Sequence, residues 1–381
     1  MKQCLFKSLS ARNKAKVLSM SKKLRRYTSQ ASKIYAKKGF KGLWGVSITK
    51  ARYAVLPVVY KSQFLRRMSH PKLNTAYLEL TNNCNLRCKM CNWQEKRKTG
   101  YISRPLFESC VNQLSDIGLE VLNLQFGGES LLHPDFKDFL KYAIHKRDQG
   151  KIGSVGLTDN GMLFNQSIAD LFVSLKVDWV NFSLDGLGEI NDNIRLGSKY
   201  SVIEKNIKYL LQKRGFSKKP TVLLNMVDTG KTEEQKLDFY REWINLVDGI
   251  ELIPSILPDN TWESKSLPTP NLGTAPPPAF CHYPLDTIII CWDGKVTGCC
   301  FDTSIKMGLG DATKEPIKQI WEGSKFQELR KAVLTNSFPV DSPCYKCDFW
   351  KVNFEPRDES ILDGKARIEY NGEIRKIRKA S

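Results

Sequence analysis

The 381-residue sequence lacks the features of several protein classes. No run of 18 or more uncharged apolar residues occurs, and the longest candidate, AVLPVVY, is too short for a transmembrane helix. The first residues are basic but lack the apolar block of a secretory signal, so we expect a reducing, cytoplasmic environment. No internal repeat is visible. With 41% apolar and 26% charged residues, the composition excludes a disordered chain, a collagen-like fibre and a coiled-coil rod.

Acidic residues are absent from the first 78 positions, which carry 19 Lys and Arg residues. The rest of the chain has 40 basic and 40 acidic residues, so the net charge of +19 resides entirely in the N-terminal part. Nucleic-acid-binding proteins neutralise many phosphates with a broad basic surface. The neutral body therefore argues against this class, and we expect no specific nucleic-acid partner.

Residues 1–72 are predicted to form a basic amphipathic helical extension. Val17, Met20, Leu24 and Tyr27 recur at spacings of three and four and give an apolar stripe on a basic helix. Such segments bind anionic lipid surfaces or other polyanions. We therefore expect peripheral contact with the inner membrane surface. A solvated helical hairpin without a partner and an organellar transit segment are the alternatives.

Short apolar runs alternate with amphipathic helical stretches between residues 73 and 256. Their spacing predicts parallel βα units, arranged as an open barrel or a doubly wound sheet. Beyond them, residues 257–280 contain six Pro and predict a linker, 281–350 predict a Cys-rich unit, and 351–381 predict a polar tail. The predicted strands are Thr75–Leu80, Val121–Phe126, Gly153–Leu157, Trp179–Leu184, Val222–Val227 and Ile250–Ile253.

Most of the eleven cysteines fall in two clusters. Their odd number and the missing export signal argue against a disulfide framework. Cys84, Cys88 and Cys91 follow the first predicted strand, and three thiolates on one loop can bind a compact metal centre. In a [4Fe–4S] cluster, three Cys ligands leave one iron with an open position. A zinc site completed by a distant fourth ligand and reduced core thiols are the alternatives.

This CxxxCxxC triplet resembles the signature of radical S-adenosylmethionine (SAM) enzymes. Three later segments, QFGGES, LTDNG and NFSLDG, follow successive predicted strands and resemble the SAM-binding elements of that family. The resemblance implies an α/β fold, a partial (β/α)6 TIM-like barrel. In this fold, the three Cys residues would hold a [4Fe–4S] cluster that also binds SAM. The cluster would cleave SAM to a 5′-deoxyadenosyl radical. The SAM contacts that it implies are Gly127, Gly128, Glu129, Thr158, Asn160, Ser183, Asp185 and Arg195, with Asn225 as either a further contact or a turn residue.

A second set of four cysteines, in a hairpin region and a CxxC pair, suits a closed metal centre of zinc or iron. The segment around them resembles the SPASM and twitch extensions of radical SAM enzymes. Because residues 348–381 contain no Cys, the resemblance implies one auxiliary [4Fe–4S] cluster. Cys300 could replace its neighbour as a ligand, whereas Cys4, Cys110 and Cys291 are predicted to be incidental thiols. The four implied ligands are Cys281, Cys299, Cys344 and Cys347.

The resemblance implies hydrogen-atom abstraction, with net oxidation or oxidative bond formation assisted by the auxiliary cluster. It also implies an electron donor such as flavodoxin or ferredoxin. His133, Asp185 and His282 are candidates for a base. We expect a sugar-like or lipid-linked substrate. The alternatives are modification of a ribosomal peptide or protein side chain, transfer of a methyl or sulfur group, and a non-catalytic zinc-binding module.

Overall fold

The computed structural model describes most of the chain beyond the N-terminal extension. The described residues are 67–68, 70–91, 97–228, 233–254, 281–335, 337–345 and 347, together with the backbone of short strands between 361 and 379. They lie in one compact unit that spans Leu65–Ser381. The predicted linker and nearly all of the predicted N-terminal extension lie outside the described residues.

Fourteen strands occur in the described part of the chain. Twelve form one mixed sheet, and the other two, β2 and β6, form a small separate ladder. The strands are β1 (Thr75–Leu78), β2 (Arg87–Cys88), β3 (Leu119–Asn123), β4 (Ile152–Asp159), β5 (Trp179–Ser183), β6 (Arg195–Leu196), β7 (Thr221–Asp228), β8 (Gly249–Pro254), β9 (Thr287–Ile290), β10 (Lys295–Thr297), β11 (Gly310–Asp311), β12 (Ile361–Leu362), β13 (Ala366–Tyr370) and β14 (Arg375–Lys379).

The centre of the large sheet is a run of six parallel strands in the order β1-β3-β4-β5-β7-β8. They coincide with the six strands predicted from the sequence, with ends that differ by at most three residues. Helices connect them on the outside, which gives the expected partial TIM-like barrel. The α-helices of the described chain are α1 (Arg104–Ile117), α2 (Phe136–Asp148), α3 (Gln166–Ser174), α4 (Glu189–Ile194), α5 (Tyr200–Arg214), α6 (Glu233–Trp243), α7 (Tyr283–Asp286), α8 (Ile317–Glu322) and α9 (Ser324–Thr335).

The core lies between the sheet and these helices. The strand register places Leu122, Val155 and Leu78 on the helix-facing side, where all three are fully buried. Fully buried Phe107 and Phe139, from α1 and α2, stack on one another with ring centroids 4.0 Å apart. Burial of such apolar side chains contributes about 1.5–3 kcal/mol each. The apolar side of the strands therefore anchors the helices, and the other side faces the barrel interior.

The ends of the sheet contain two additions: a predicted hairpin whose pairing with the core sheet the sequence did not indicate, and a set of strands that it did not predict. From the Cys-rich unit, β9 pairs in parallel with the free edge of β1 and continues through the antiparallel strands β10 and β11. From the predicted polar tail, β14 pairs antiparallel with β8 and is followed by β13 and β12. RKIRK has one apolar residue and shows no alternation, whereas ARIEY alternates Ala, Ile and Tyr with charged residues over only five positions.

No helix among the described residues is long and apolar enough to cross a membrane.

Arg330 stabilises the C-terminal unit from inside its core. The side chain is 3% exposed, and its guanidinium lies 4.3 Å from the centroid of the Trp321 ring. Its Nε donates to the Pro284 carbonyl at 2.8 Å and its Nη2 to the Trp321 carbonyl at 2.9 Å. Burial lowers the pKa of Arg330 to about 10, which leaves it charged at neutral pH.

Replacing Arg330 with Ala is expected to lower the free energy of unfolding by about 3 kcal/mol, because two buried carbonyl oxygens lose their donors and the ring loses its cation. Urea denaturation of the anaerobically purified protein measures the effect. The matched control is the neighbouring exposed residue, Lys331→Ala, which should leave the midpoint unchanged. Equal midpoints for the two variants would contradict this role for Arg330.

Candidate functional site

The loop after β1 carries Cys84, Cys88 and Cys91, and a short ladder fixes its middle. Cys88 in β2 is paired antiparallel with Arg195 in β6, and the Lys89 amide donates to the Ile194 carbonyl at 2.9 Å. This pairing brings Arg195 Nη1 to 4.0 Å from Cys88 Sγ. A cation therefore lies beside the second thiol of the triplet.

The glycine-rich loop after β3 lies directly against the cysteine loop. The Glu129 amide donates to the Asn83 carbonyl at 2.7 Å. Gly128 has a φ of +69°, and a Cβ at this position would lie 2.4 Å from the same carbonyl oxygen. Any side chain would separate the two loops, so the glycine allows the approach of the backbones.

A buried pair of carboxyl groups lies at this junction. Glu129 is 2% exposed and accepts hydrogen bonds from the Leu131 amide at 3.2 Å and the Asn160 amide at 3.0 Å. Asp159 is 1% exposed and accepts from the Gly161 amide at 2.6 Å. Burial raises the pKa of Glu129, and burial together with the Glu129 charge raises the pKa of Asp159 well above its ordinary range. A cationic ligand group would relieve this shortage of positive charge.

Asp185 holds Arg195 in place. It is fully buried, its Oδ2 lies 2.8 Å from Arg195 Nε, and its Oδ1 accepts from the Val227 amide at 2.7 Å. The contact with Arg195 is an ion pair without hydrogen-bond geometry. Asp185, which the family resemblance implied as a SAM contact and a candidate base, therefore contacts the arginine and does not line the cavity described next.

These elements enclose one cavity of about 650 Å³ at the carboxyl ends of the parallel strands. Parallel α/β folds place their ligands at this edge. Of the eight SAM contacts implied by the resemblance, Gly127 and Asp185 are missing from its lining, and so is the further candidate Asn225. The lining includes Cys84, Cys88, Cys91, Gly128, Glu129, Thr158, Asn160, Ser183 and Arg195.

Glu79, at the carboxyl end of β1, connects three segments around the cavity. It is fully buried, and its Oε1 accepts from Arg97 Nη2 at 2.5 Å and from the Gly127 amide at 3.1 Å. Its Oε2 accepts from the Trp292 amide at 3.2 Å. Burial raises the pKa of Glu79, and the Arg97 charge acts in the opposite direction. The Gly127 amide therefore binds the Glu79 carboxylate, and Gly127 does not line the cavity.

Neither Glu79 nor Arg97 was predicted from the sequence as a residue of the site. The available signal was an acidic residue at the end of an otherwise apolar strand, directly before the cysteine loop.

The two histidines proposed as bases have other contacts. His133 is 4% exposed, and its ring nitrogens contact the Ile102 carbonyl at 2.9 Å and the Asp135 amide at 3.0 Å. His282 begins helix α7, where burial lowers its pKa. Neither lines the cavity. Asn225 accepts a hydrogen bond from Asn181 at 2.7 Å and is likewise outside that lining.

The four cysteines of the second set line a separate cavity. The other walls are largely apolar and include Phe301, Met307, Leu329 and Phe338. Cys300 does not line it; its thiol lies 3.3 Å from the Tyr283 hydroxyl instead. The geometry therefore favours Cys299 over Cys300 as the fourth thiol of this set. The set comprises Cys281, Cys299, Cys344 and Cys347.

Both sets of thiols fit polynuclear clusters. The seven thiols line two cavities in groups of three and four, and four thiolates are the usual ligand set of a [4Fe–4S] cluster. Burial raises the pKa of Cys84 to about 11 and that of Cys344 to about 12. Cluster binding would therefore release protons from these thiols.

Comparison with protein families gives two matches along the chain. Residues 78–242 match the radical SAM superfamily, and residues 281–348 match the SPASM family, an iron-sulfur cluster-binding domain. The first range contains the three cysteines and the cavity around them. The second contains the four-cysteine cavity.

Curated relatives support the same assignment. The chain is 25% identical over 325 residues to the tungsten-containing aldehyde ferredoxin oxidoreductase cofactor-modifying protein of Pyrococcus furiosus, a match that covers 72% of this chain and 89% of the relative. It is 30% identical over 146 residues to a GTP 3′,8-cyclase of Desulforamulus reducens, covering 37% of this chain and 43% of that enzyme. The second match thus spans less than half of the cyclase.

Solved structures share the fold. SuiB of Streptococcus suis, bound to its precursor peptide SuiA, matches with a TM-score of 0.58 at 15% identity, covering 82% of this chain and 76% of that one. The enzyme anSMEcpe with bound AdoMet matches with a TM-score of 0.54 at 18% identity, covering 73% and 84%. BtrN in complex with AdoMet and 2-DOIA matches with a TM-score of 0.50 at 17% identity, covering 72% and 93%.

The family predicted from the cysteine triplet and the strand-end motifs is thereby confirmed. The chain belongs to the radical SAM superfamily, as an enzyme with a C-terminal SPASM-type domain whose cofactors are [4Fe–4S] clusters and S-adenosylmethionine.

Proposed function

We propose that this enzyme abstracts a hydrogen atom from a substrate C–H bond and that the net reaction is an oxidation or an oxidative bond formation. Cys84, Cys88 and Cys91 would hold the cluster, which would supply the electron for the cleavage of SAM to methionine and the 5′-deoxyadenosyl radical that takes the hydrogen atom. The observation that carries the proposal is the single cavity that combines three thiols with Glu129 and Arg195. An external one-electron donor such as flavodoxin or ferredoxin would supply the electron.

Two charged residues of the cavity would bind the oppositely charged groups of SAM. Glu129 offers a buried carboxylate to the ammonium group, and Arg195 offers a guanidinium to the carboxylate. Asp185 keeps Arg195 oriented beside Cys88. Thr158 and Ser183, on neighbouring strands, line the same cavity and would contact the ribose hydroxyls. These contacts would orient SAM and exclude water, while the reactivity comes from the cofactors.

The auxiliary site is suited to electron transfer and not to substrate binding. Four thiols line it, which is a complete ligand set for a [4Fe–4S] cluster, and its remaining walls are mostly apolar. A substrate would find no vacant iron there. We therefore assign the auxiliary cluster the role of accepting an electron from the substrate radical.

For the substrate, we favour a sugar-like or lipid-linked molecule. The relative matched over most of its length, in Pyrococcus furiosus, is named for the modification of a cofactor. A peptide substrate is the alternative, since the subtilosin biosynthesis protein AlbA of Bacillus subtilis is 31% identical over 140 residues. That match covers 35% of this chain and 30% of AlbA, so it is weak support for a shared substrate.

The metal content tests the cluster assignment. Anaerobically purified protein is expected to contain about eight iron and eight sulfide per chain, and replacing Cys84, Cys88 and Cys91 together with Ala should leave about four of each. Iron and sulfide analysis with electron paramagnetic resonance measures both. Cys110→Ala, at a buried thiol outside both cavities, is the control. Colourless protein with stoichiometric zinc would instead indicate a zinc-binding module.

Changing Glu129 to Gln should raise the KM for SAM at least about tenfold, because the ammonium group loses a charge-assisted hydrogen bond. Burial raises the pKa of Glu129, so SAM affinity in the parent should fall with decreasing pH, beginning above the ordinary Glu range. The Gln variant should lack this step. Glu120→Gln, at an exposed residue of β3, is the control. Formation of S-adenosylhomocysteine in place of 5′-deoxyadenosine would indicate methyl transfer instead.

The basic N-terminal segment is expected to bring the enzyme to anionic membrane surfaces, because each basic residue near such a surface contributes about 1 kcal/mol. In flotation assays, the full chain should float with vesicles containing phosphatidylserine and much less with vesicles of phosphatidylcholine alone. Replacing the basic residues between 2 and 41 with Gln should abolish flotation. Equal flotation of the parent and this variant would exclude the membrane role.

A further inference from the structure

The interior face of the barrel is polar at its centre. The register pairs Asn181 with Thr158 and Asn225 with Ser183, and paired residues of neighbouring strands point to the same side of a sheet. Asn123 is paired with Gly156, two residues before Thr158, and so lies on this side as well. Thr158 and Ser183 line the proposed SAM cavity. The three asparagines, which we call the amide wall, do not line that cavity, but they lie beside its residues on the same face of the sheet.

Two acceptors of the amide wall have no hydrogen-bond partner among the residues that the structure describes. Asn123 is 5% exposed and Asn181 is 7% exposed, and the Oδ1 atom of each is buried without a hydrogen bond. The donor end of Asn181 is occupied, because its Nδ2 donates to Asn225 Oδ1 at 2.7 Å. Leaving a buried acceptor unsatisfied costs about 1–3 kcal/mol, so a ligand that supplies donors here would recover that free energy.

The neighbouring strand restricts the charge of such a ligand. Glu251 in β8 is paired with Asn225, is 5% exposed, and its Oε2 lies 3.4 Å from Asn181 Nδ2. A carboxylate behind the amides disfavours a phosphate or carboxylate group at this position. An apolar group would leave the amide oxygens unsatisfied. Neutral hydroxyl groups and amines satisfy both conditions.

We infer that the amide wall is the substrate-recognition surface and that it selects a polyhydroxylated, sugar-like ring whose hydroxyl groups donate to Asn123 and Asn181. The inference rests on the proposed function, because the substrate must lie in the barrel interior beside SAM. It assigns recognition to side chains of β3 and β5 that contact neither the three cysteines nor the auxiliary site in the described structure.

The test uses two probes of the same ring size that differ in the number of hydroxyl groups. These are myo-inositol and cyclohexanol, each deuterated on its ring carbons, supplied at millimolar concentration with SAM and dithionite as the reductant. Abstraction breaks one C–D bond of the probe and forms one C–D bond at C5′ of 5′-deoxyadenosine. The deuterium content of 5′-deoxyadenosine, measured by mass spectrometry, therefore reports how often the enzyme abstracts an atom from the probe. We expect at least about tenfold more label from myo-inositol than from cyclohexanol.

Two variants test whether deuterium transfer from myo-inositol depends on the amide wall. Asn123→Leu and Asn181→Leu should each reduce labelling from myo-inositol about tenfold while leaving both cluster signals and the KM for SAM unchanged. Because Asn181 also contacts Asn225, Asn123→Leu is the decisive variant should the other fail to fold. Asn112→Leu, on α1 outside the barrel and hydrogen-bonded to Tyr142, is the matched control and should label as the parent does.

The outcomes separate the two proposals. If 5′-deoxyadenosine forms without label from myo-inositol, or with equal label from both probes, or if neither variant lowers the label, the amide wall does not select hydroxyl groups. The proposed SAM cleavage would still stand. If no 5′-deoxyadenosine forms under any condition, the proposed function itself fails.

Discussion

The buried carboxylate of Glu79 is the interaction on which the arrangement of the site depends. It accepts hydrogen bonds from Arg97 beyond the cysteine loop, from Gly127 in the glycine-rich loop and from Trp292 in the C-terminal unit. Removing one partner of a buried ion pair costs about 3–5 kcal/mol because the other charge remains without compensation. The cysteine loop, the SAM loop and the SPASM-type domain therefore share one anchor, and a displacement of any one is resisted by the other two.

The pairing of β9 with β1 gives this anchor its position. β1 lies between β3 and β9, so it touches the radical SAM core on one side and the C-terminal unit on the other. Glu79 follows β1 directly, and its amide donates to the Ile290 carbonyl at 2.9 Å. The C-terminal unit is thus joined to the core by strand pairing and by a buried charge. The described residues accordingly form one compact unit, although they match two families.

The sequence predicted those parts of the site whose chemistry is local. The cysteine triplet and the glycine-rich loop could be recognised because a few consecutive residues carry each pattern. The role of Asp185 could not be obtained in this way, since a motif gives a position and not the partner, which is Arg195. The amide wall depends on strand register, because Asn123 and Asn181 lie 58 positions apart and share a face only through β4. Strand β14 was not predicted because RKIRK contains one apolar residue.

The two cavities differ in how the protein supplies positive charge, and this difference agrees with separate roles for the two clusters. Arg195 lies beside Cys88, but its charge is balanced by Asp185. Arg330 donates to the carbonyl of Pro284, a residue that lines the auxiliary cavity, and its two hydrogen bonds go to neutral oxygens. Its guanidinium therefore lies behind the wall of that cavity, with Glu322 as the carboxylate whose charge acts on it. Positive charge near a cluster favours its reduced state, because reduction adds an electron. A cation behind the auxiliary cavity and a balanced ion pair beside the first one would suit the proposed roles, in which the auxiliary cluster accepts an electron and the first cluster donates one to SAM.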